Sequence, residues 1–256
     1  MGTKAHGRIL FWEGASLWIL SAPPGQRYPK TDVHSHHAVQ VTLALTGRVH
    51  FAGEAEQASG VAMAIAPDSP HTFEGTGLVA HLFLASDGQA GRELVRGLFS
   101  NGPIASIPSG QLGDLPARLR ATFEDPSHTE DDLRTLGRSL IARLAGGCTD
   151  AEAPDPRIAQ LIAWVTARLD QPVSLRDVAK LICLSPGRTR HLFVAQTGLP
   201  FRTYLLWLRL MRAVELFVGG ASLTAAAHGA GFADSAHLSR TFRRMFGIAA
   251  ASLRVS

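Results

Sequence analysis

Between Ser174 and Arg254 one structural unit occurs twice, and a duplication in phase leaves few folds open to this part of the chain. The first copy is SLRDVAKLICLSPGRTRHLFVAQTG, Ser174 to Gly198; the second is SLTAAAHGAGFADSAHLSRTFRRMFG, Ser222 to Gly247. Each opens on Ser-Leu, where the serine oxygen can accept a free backbone N–H and start a helix. An alanine follows, Ala179 or Ala227, small enough for two helices to approach closely. A second start signal comes next, Ser185-Pro186 or Asp234. Both copies end on a phenylalanine and a glycine, Phe193 with Gly198 and Phe242 with Gly247. This is the layout of two helix-turn-helix units, the second with a turn one residue longer.

The second helix of the later copy separates its faces cleanly. Leu238, Phe242 and Met245 recur at helical spacing and predict an inward stripe. Opposite them lie Ala236, Arg240, Arg243 and Arg244, flanked by His237. An arginine-rich face behind an apolar stripe suits a major groove, where Arg can bond both acceptors of a guanine or a phosphate. Residues near the helix start reach base edges most easily, so Ser235, Ala236, His237 and Arg240 are assigned to bases, and Arg243 and Arg244 mainly to phosphates. In the first copy Thr189, Leu192, Phe193 and Gln196 point inward. Ser185 caps the helix, and Gly187, Arg190, His191 and Val194 point outward with Arg188 at the side. Arg190 and His191 are the expected base readers there. Between the copies Phe201 to Val218 predicts one long helix, buried through Tyr204, Leu205, Leu208 and Met211, with Arg202, Arg209 and Arg212 in solvent. Such a spacer could set the two reading helices about one DNA turn, roughly 34 Å, apart.

Charge agrees with this division. From Asp155 onward 13 Lys and Arg face 5 Asp and Glu, whereas residues 1 to 154 carry 12 against 16. The basic surplus therefore sits in the half that would meet phosphates. Cys148 and Cys183 form no metal or disulfide pattern and fit a reducing cytoplasm. The first residues carry no apolar core of signal-peptide length, and no run reaches the ~18 apolar residues of a membrane span. A cytoplasmic protein that avoids the membrane is expected.

The C-terminal half resembles the DNA-binding domain of the AraC/XylS family of bacterial transcription regulators. In the first copy Ala179, Leu184-Ser185-Pro186, Leu192-Phe193 and Thr197-Gly198 carry the resemblance. In the second it rests on Ala227, Gly231-Phe232, Asp234, Ser239-Arg240, Phe242 and Gly247, then Leu253-Arg254. It implies a sequence-specific regulator of double-stranded promoter DNA, without catalysis, that responds to a small-molecule effector. It also implies activation through RNA polymerase as the commoner outcome, and a helical connector that could dimerise. Three positions depart from the pattern. His191 stands where arginine is frequent, Cys183 where the turn often has glycine, and Ala250 where proline is usual. Cys183 is expected to be a small packed residue.

Upstream, the first 85 residues read as short strands with Gly and Pro punctuation, which predicts a small sandwich or barrel. Arg8 to Trp12 and Ser16 to Leu20 flank a Glu13-Gly14 turn, and Val39 to Leu45 alternates. Helical texture follows at Glu93 to Phe99, Leu112 to Phe123 and Glu130 to Leu144, the last capped by Thr129. Its stripe of Leu133, Leu136, Leu140 and Leu144 could pack on a second subunit or on its own barrel. Gly146 to Pro156 reads as a linker. The expected α+β organisation is a cupin-like, effector-sensing β-barrel over residues 1–87, a helical connector over 88–153, and an all-α double helix-turn-helix domain over 154–256.

His34, His36 and Gln40 share one side of an extended strand, with the small Thr42 and Ala44 beyond them and His71 downstream. The set is similar to the two-part motif of cupin barrels, His-x-His with a later Glu and Gly and then a downstream His. Gln40 replaces the glutamate and so removes the anionic ligand. His34, His36, Gln40 and His71 are therefore assigned to an effector pocket, with no cofactor required. The imidazoles of His34, His36 and His71 could still hold a divalent metal such as Zn²⁺, Ni²⁺ or Fe²⁺. The alternative is a metal-dependent cupin enzyme or metal sensor with an accessory helical domain.

Overall fold

The computed structural model describes residues 5–23, 25–146 and 155–255. Most of the expected linker, with Cys148, lies outside the described residues. The chain forms two compact units, one of Met1–Ala151 together with Phe242–Ser256, the other of Glu152–Thr241. Sequence reading had put everything from 154 to 256 in one domain. The difference is caused by the last strand, which joins the N-terminal sheet.

The first unit holds strands β1 (Ala5–Trp12), β2 (Ala15–Ser21), β3 (Arg27–Tyr28), β4 (Ala38–Ala44), β5 (Val49–Ala52), β6 (Gln57–Gly60), β7 (Ala62–Ile65), β8 (Thr72–Thr76), β9 (Leu78–Ala85), β10 (Ile104–Ser106) and β11 (Leu253–Val255). They make a seven-stranded sheet, ordered β10-β7-β4-β9-β2-β1-β11, and a four-stranded sheet, β3-β8-β5-β6. The barrel is thus open, two sheets rather than one closed wall. Glu13 and Gly14 form the tight turn between β1 and β2, whose register closes at Trp12 and Ala15, and Gly14 supplies the positive φ of 71° that this connection needs. The final strand β11 lies parallel to β1, Leu253 opposite Ala5 and Val255 opposite Gly7.

Alternation along β4 sends Val39, Val41 and Leu43 into one core and Gln40 and Thr42 to the opposite face. Helices α1 (Gln89–Leu98), α2 (Ser109–Leu112), α3 (Leu115–Glu124) and α4 (Glu130–Ala145) belong to the same unit. The expected helix over Leu112 to Phe123 is split, because Gly113 has a φ of 58° and Pro116 opens α3. Thr129 and Asp132 form a capping box at the start of α4. Its Leu133, Leu136 and Leu140 are buried in one core with Val39, Val41 and Leu82. The leucine stripe therefore packs on its own sheet.

The second unit is helical: α5 (Pro156–Thr166), α6 (Leu175–Leu181), α7 (Pro186–Thr197), α8 (Phe201–Val218), α9 (Leu223–Gly229) and most of α10 (Ser235–Phe246). Ser174 and Asp177 form a capping box on α6, while Ser185 and Ser222 accept from the third backbone N–H of α7 and α9. Each cap contributes about 1 kcal/mol. The long helix α8 spans the expected residues, but its buried face continues through Trp207, Leu210, Ala213 and Val214 rather than Met211. Arg209, expected in solvent, instead donates to the carbonyls of Leu169 and Gln171 at 2.9 and 2.8 Å.

Cys183 corrects another expectation. It is exposed rather than packed, and its φ is 54°, a left-handed conformation that costs a β-carbon-bearing residue about 1–2 kcal/mol. Part of that is returned by the lower backbone entropy of a non-glycine in the unfolded chain. Cys183→Gly should accordingly stabilise the unit by about 0.5–1 kcal/mol, read as a raised thermal midpoint.

Candidate functional site

Helices α7 and α10 present the faces that their periodicity predicts. On α7, Thr189 and Phe193 are fully buried, and Gln196 turns inward, its side-chain oxygen accepting from the Asp155 N–H at 3.0 Å. Gly187, Arg188, Arg190 and His191 are exposed, and so is Val194. The Ser185 hydroxyl is occupied in capping, its oxygen accepting from Arg188 N. On α10, Leu238, Phe242 and Met245 are buried while Ala236, Arg240, Arg243 and Arg244 are exposed. The Asp234 carboxylate starts this helix by accepting from His237 N at 2.6 Å, a bond that holds its pKa below the usual carboxylate range. Ser235 and His237 are half-buried, the latter with its ring edge-on to Phe232. Arg243, assigned to phosphate, donates to the Asp32 carboxylate at 2.6 Å.

In the first unit the expected polar residues converge. His34 and His71 form an isolated antiparallel bridge, exchanging backbone bonds of 3.0 and 2.9 Å, which brings their ring centroids to 4.2 Å. His36 lies 5.2 Å from His71 by the same measure. Neither His34 nor His36 is in β4, so local backbone geometry rather than strand alternation aims them. The Nδ1 atoms of His34, His36 and His71 meet the carbonyls of Asp32, Ala38 and Ser69 at 2.9, 3.0 and 2.8 Å. A neutral ring that donates from Nδ1 keeps its lone pair on Nε2. His36 Nε2 lies 2.7 Å from the Gln40 amide oxygen; turning the amide over presents its NH₂ to that lone pair.

His81 belongs to this group and was missed. It faces Thr42 across β4 and β9, and its Nδ1 lies 2.9 Å from the Thr42 hydroxyl and 3.1 Å from the Gln40 amide nitrogen. The available signal was a lone imidazole inside the apolar run LVAHLFLA, where burial demands a polar partner. Burial keeps all four rings neutral. It lowers His36 to about 4, His81 to about 3 and His71 to about 2, and lowers His34 as well.

A cavity of about 260 Å³ opens beside these residues. His34, Gln40 and His81 line it, together with Trp18, Phe73, Phe83 and, from the C-terminal segment of the same unit, Phe246. His36 and His71 stand outside its wall.

Residues 178–255 match the family described as "Helix-turn-helix domain". The chain is 25% identical over 270 residues to the HTH-type transcriptional activator RhaS of Klebsiella pneumoniae, covering 95% of this chain and 94% of that one. Over 98 residues it is 42% identical to RhaS of Escherichia fergusonii, 38% of this chain and 35% of the relative. The crystal structure of ToxT from Vibrio cholerae O395 superposes with a TM-score of 0.57 at 12% identity, covering 94% of this chain and 99% of that one, a likeness of fold. Residues 178–255 thus carry a helix-turn-helix domain, and over nearly its whole length the chain is similar to transcriptional activators.

The relatives that the chain matches are transcription regulators rather than enzymes. The histidine cluster offers candidate ligands for a divalent ion, with His36 joining them once its Nε2 leaves Gln40. The candidate ligand atoms of His34, His36 and His71 lie within 4.8 Å of one another, and His71 Nε2 is buried with no hydrogen-bond partner among the described residues. Three backbone-oriented imidazoles form a donor set that suits borderline transition ions. Among the described residues no helix is long and apolar enough to cross a membrane.

Proposed function

We propose that this regulator activates transcription from promoter DNA in the cytoplasm, and that a small organic effector bound in the N-terminal cavity controls it. The observation that carries the DNA-binding part is the exposed face of α10, Ala236, Arg240 and Arg244 opposite a fully packed stripe. Activation, and with it contact with RNA polymerase, is supported by the names of the RhaS relatives. An organic effector is supported by the cavity and by the ToxT structure with an unsaturated fatty acid bound. Effector binding would act by shifting the population of arrangements that fit the promoter.

Arg240 is the sharpest test of the reading face. Arg240→Ala should weaken specific binding by about 1–3 kcal/mol and relax discrimination at one base position. Mobility shifts on the chain's own upstream region and on scrambled DNA measure this. Equal weakening on both would make Arg240 a phosphate contact.

A second reading is favoured by the orphaned His71 Nε2: His34, His36 and His71 would hold a divalent ion, and the regulator would sense metal. Plasma mass spectrometry of the purified protein decides between them. Stoichiometric Zn, Ni or Fe supports the metal reading, and a metal-free protein that still shifts DNA supports the organic effector.

A further inference from the structure

The chemistry of the cavity wall specifies what the organic effector must be. Among the described residues no lysine, arginine, aspartate or glutamate lines it, and Trp18, Leu20, Phe73, Phe83, Phe246 and Ile248 make it largely apolar. The polar groups at the wall are mostly committed. The Tyr28 hydroxyl donates to the carbonyls of Leu20 and Gly77, and burial pushes the phenol up, so it stays protonated. The Gln40 amide is engaged by His36, Thr42 and His81. His34 differs: it lines the cavity, and its Nδ1 donates to Asp32 O, which leaves a lone pair on Nε2 that can accept. Size narrows the class further. A cavity of about 150 Å³ holds benzene, so 260 Å³ admits little more than a fused two-ring skeleton.

We propose that the cavity takes an uncharged, mainly apolar molecule of about two fused rings, one end of which donates a hydrogen bond to His34, with the ring system against Phe246 and Ile248. The proposal rests on the organic-effector reading above and gives that effector a chemical class. An anion is disfavoured because the wall offers it neither a cation nor a cluster of donors, and burying a charge unpaired costs far more than burying a neutral group.

Three matched probes test it by calorimetric titration of the full-length, EDTA-treated protein at pH 7: 2-naphthol, 2-methoxynaphthalene and 2-naphthoate. The ring system is constant; only the donor and the charge change. The expected result is that 2-naphthol binds at least tenfold more tightly than either of the others. Equal or tighter binding of 2-naphthoate would overturn the uncharged class, and equal binding of 2-methoxynaphthalene would overturn the bond to His34. Location is tested with Ile248→Trp and Ser252→Trp, two wall residues whose enlargement fills the cavity from different positions. Each should lower 2-naphthol affinity at least tenfold while the thermal unfolding transition remains cooperative. Unchanged affinity in both variants puts the ligand elsewhere and sinks the assignment.

A mobility shift on the same preparation keeps the two readings apart. A chain that ranks the probes as expected but never shifts its upstream DNA overturns the regulator reading and leaves this one standing. A chain that shifts DNA but ranks the probes otherwise does the reverse.

Discussion

Replacing Gly231 by alanine should destabilise the DNA-binding unit by about 2–5 kcal/mol. Gly231 occupies the turn between α9 and α10 with a φ of 76°. A left-handed conformation alone costs a β-carbon-bearing residue about 1–2 kcal/mol. The added Cβ would also lie 2.1 Å from the Leu169 carbonyl oxygen and 2.9 Å from Arg209 Nε. Neither neighbour can yield easily, because Arg209 Nε already donates to that same carbonyl. Overpacking of this kind adds a further 1–3 kcal/mol. Urea unfolding monitored by far-ultraviolet dichroism should show the loss, with specific DNA binding falling alongside. Gly187→Ala is the opposite case: Gly187 sits in α7, its added Cβ meets nothing within 4 Å, and the change should stabilise by up to about 1 kcal/mol. A mild effect at Gly231 would mean that the turn can move away from Leu169.

Acid should unfold the first unit well before its carboxylates titrate. His81 has an ordinary value of 6.5 and is lowered by burial to about 3, so the unfolded chain takes up its proton first as pH falls. The stability tied to a neutral His81 is complete above about pH 6.5 and is lost progressively below it, down towards pH 3. Between pH 7 and 5 this one residue accounts for about 2 kcal/mol. His36 and His71, lowered by burial in the same direction, add to the loss. Total stabilities are commonly only 5–15 kcal/mol, so urea midpoints of EDTA-treated protein should drop steeply across this window. His81→Gln, which keeps a polar group opposite Thr42 but removes the titration, should flatten the slope by about 1.4 kcal/mol per pH unit. An unchanged slope in that variant would show that His81 is protonated in the folded protein.

Legibility in the sequence followed the range of each interaction. Ser174, Ser185, Ser222 and Thr129 cap helices through bonds that span two or three residues, so their roles could be read directly. The inward stripes of α7 and α10 are set by helical period and were equally plain. What stayed hidden depends on residues far apart in the chain. Arg243 and Asp32 are separated by 211 positions, and nothing around either residue marks the other. Arg209 resembles any solvated helix arginine until the loop at Leu169 and Gln171 offers it two carbonyls. The leucine stripe of α4 showed that an apolar partner was needed, but not which one; the partner is the β-sheet of its own unit. His34, His36, Gln40 and His71 are neighbours in space, although only His34 and Gln40 line the cavity and strand alternation is the wrong reason for the two histidines that precede β4.

The pairing of β11 with β1 also limits how this protein can be taken apart. A single cut in the 147–154 segment would be the obvious way to make a DNA-binding fragment or to graft the reading helices onto another sensor. Such a fragment carries Phe246 and Leu253, which are 6% and 5% exposed in the intact chain, and deprives β11 of its neighbour. Bared aromatic surface and an unpaired strand favour aggregation. Solubility trials of fragments and chimeric regulators therefore need to treat residues 242–256 as part of the first unit, even though they lie far from the rest of it in sequence.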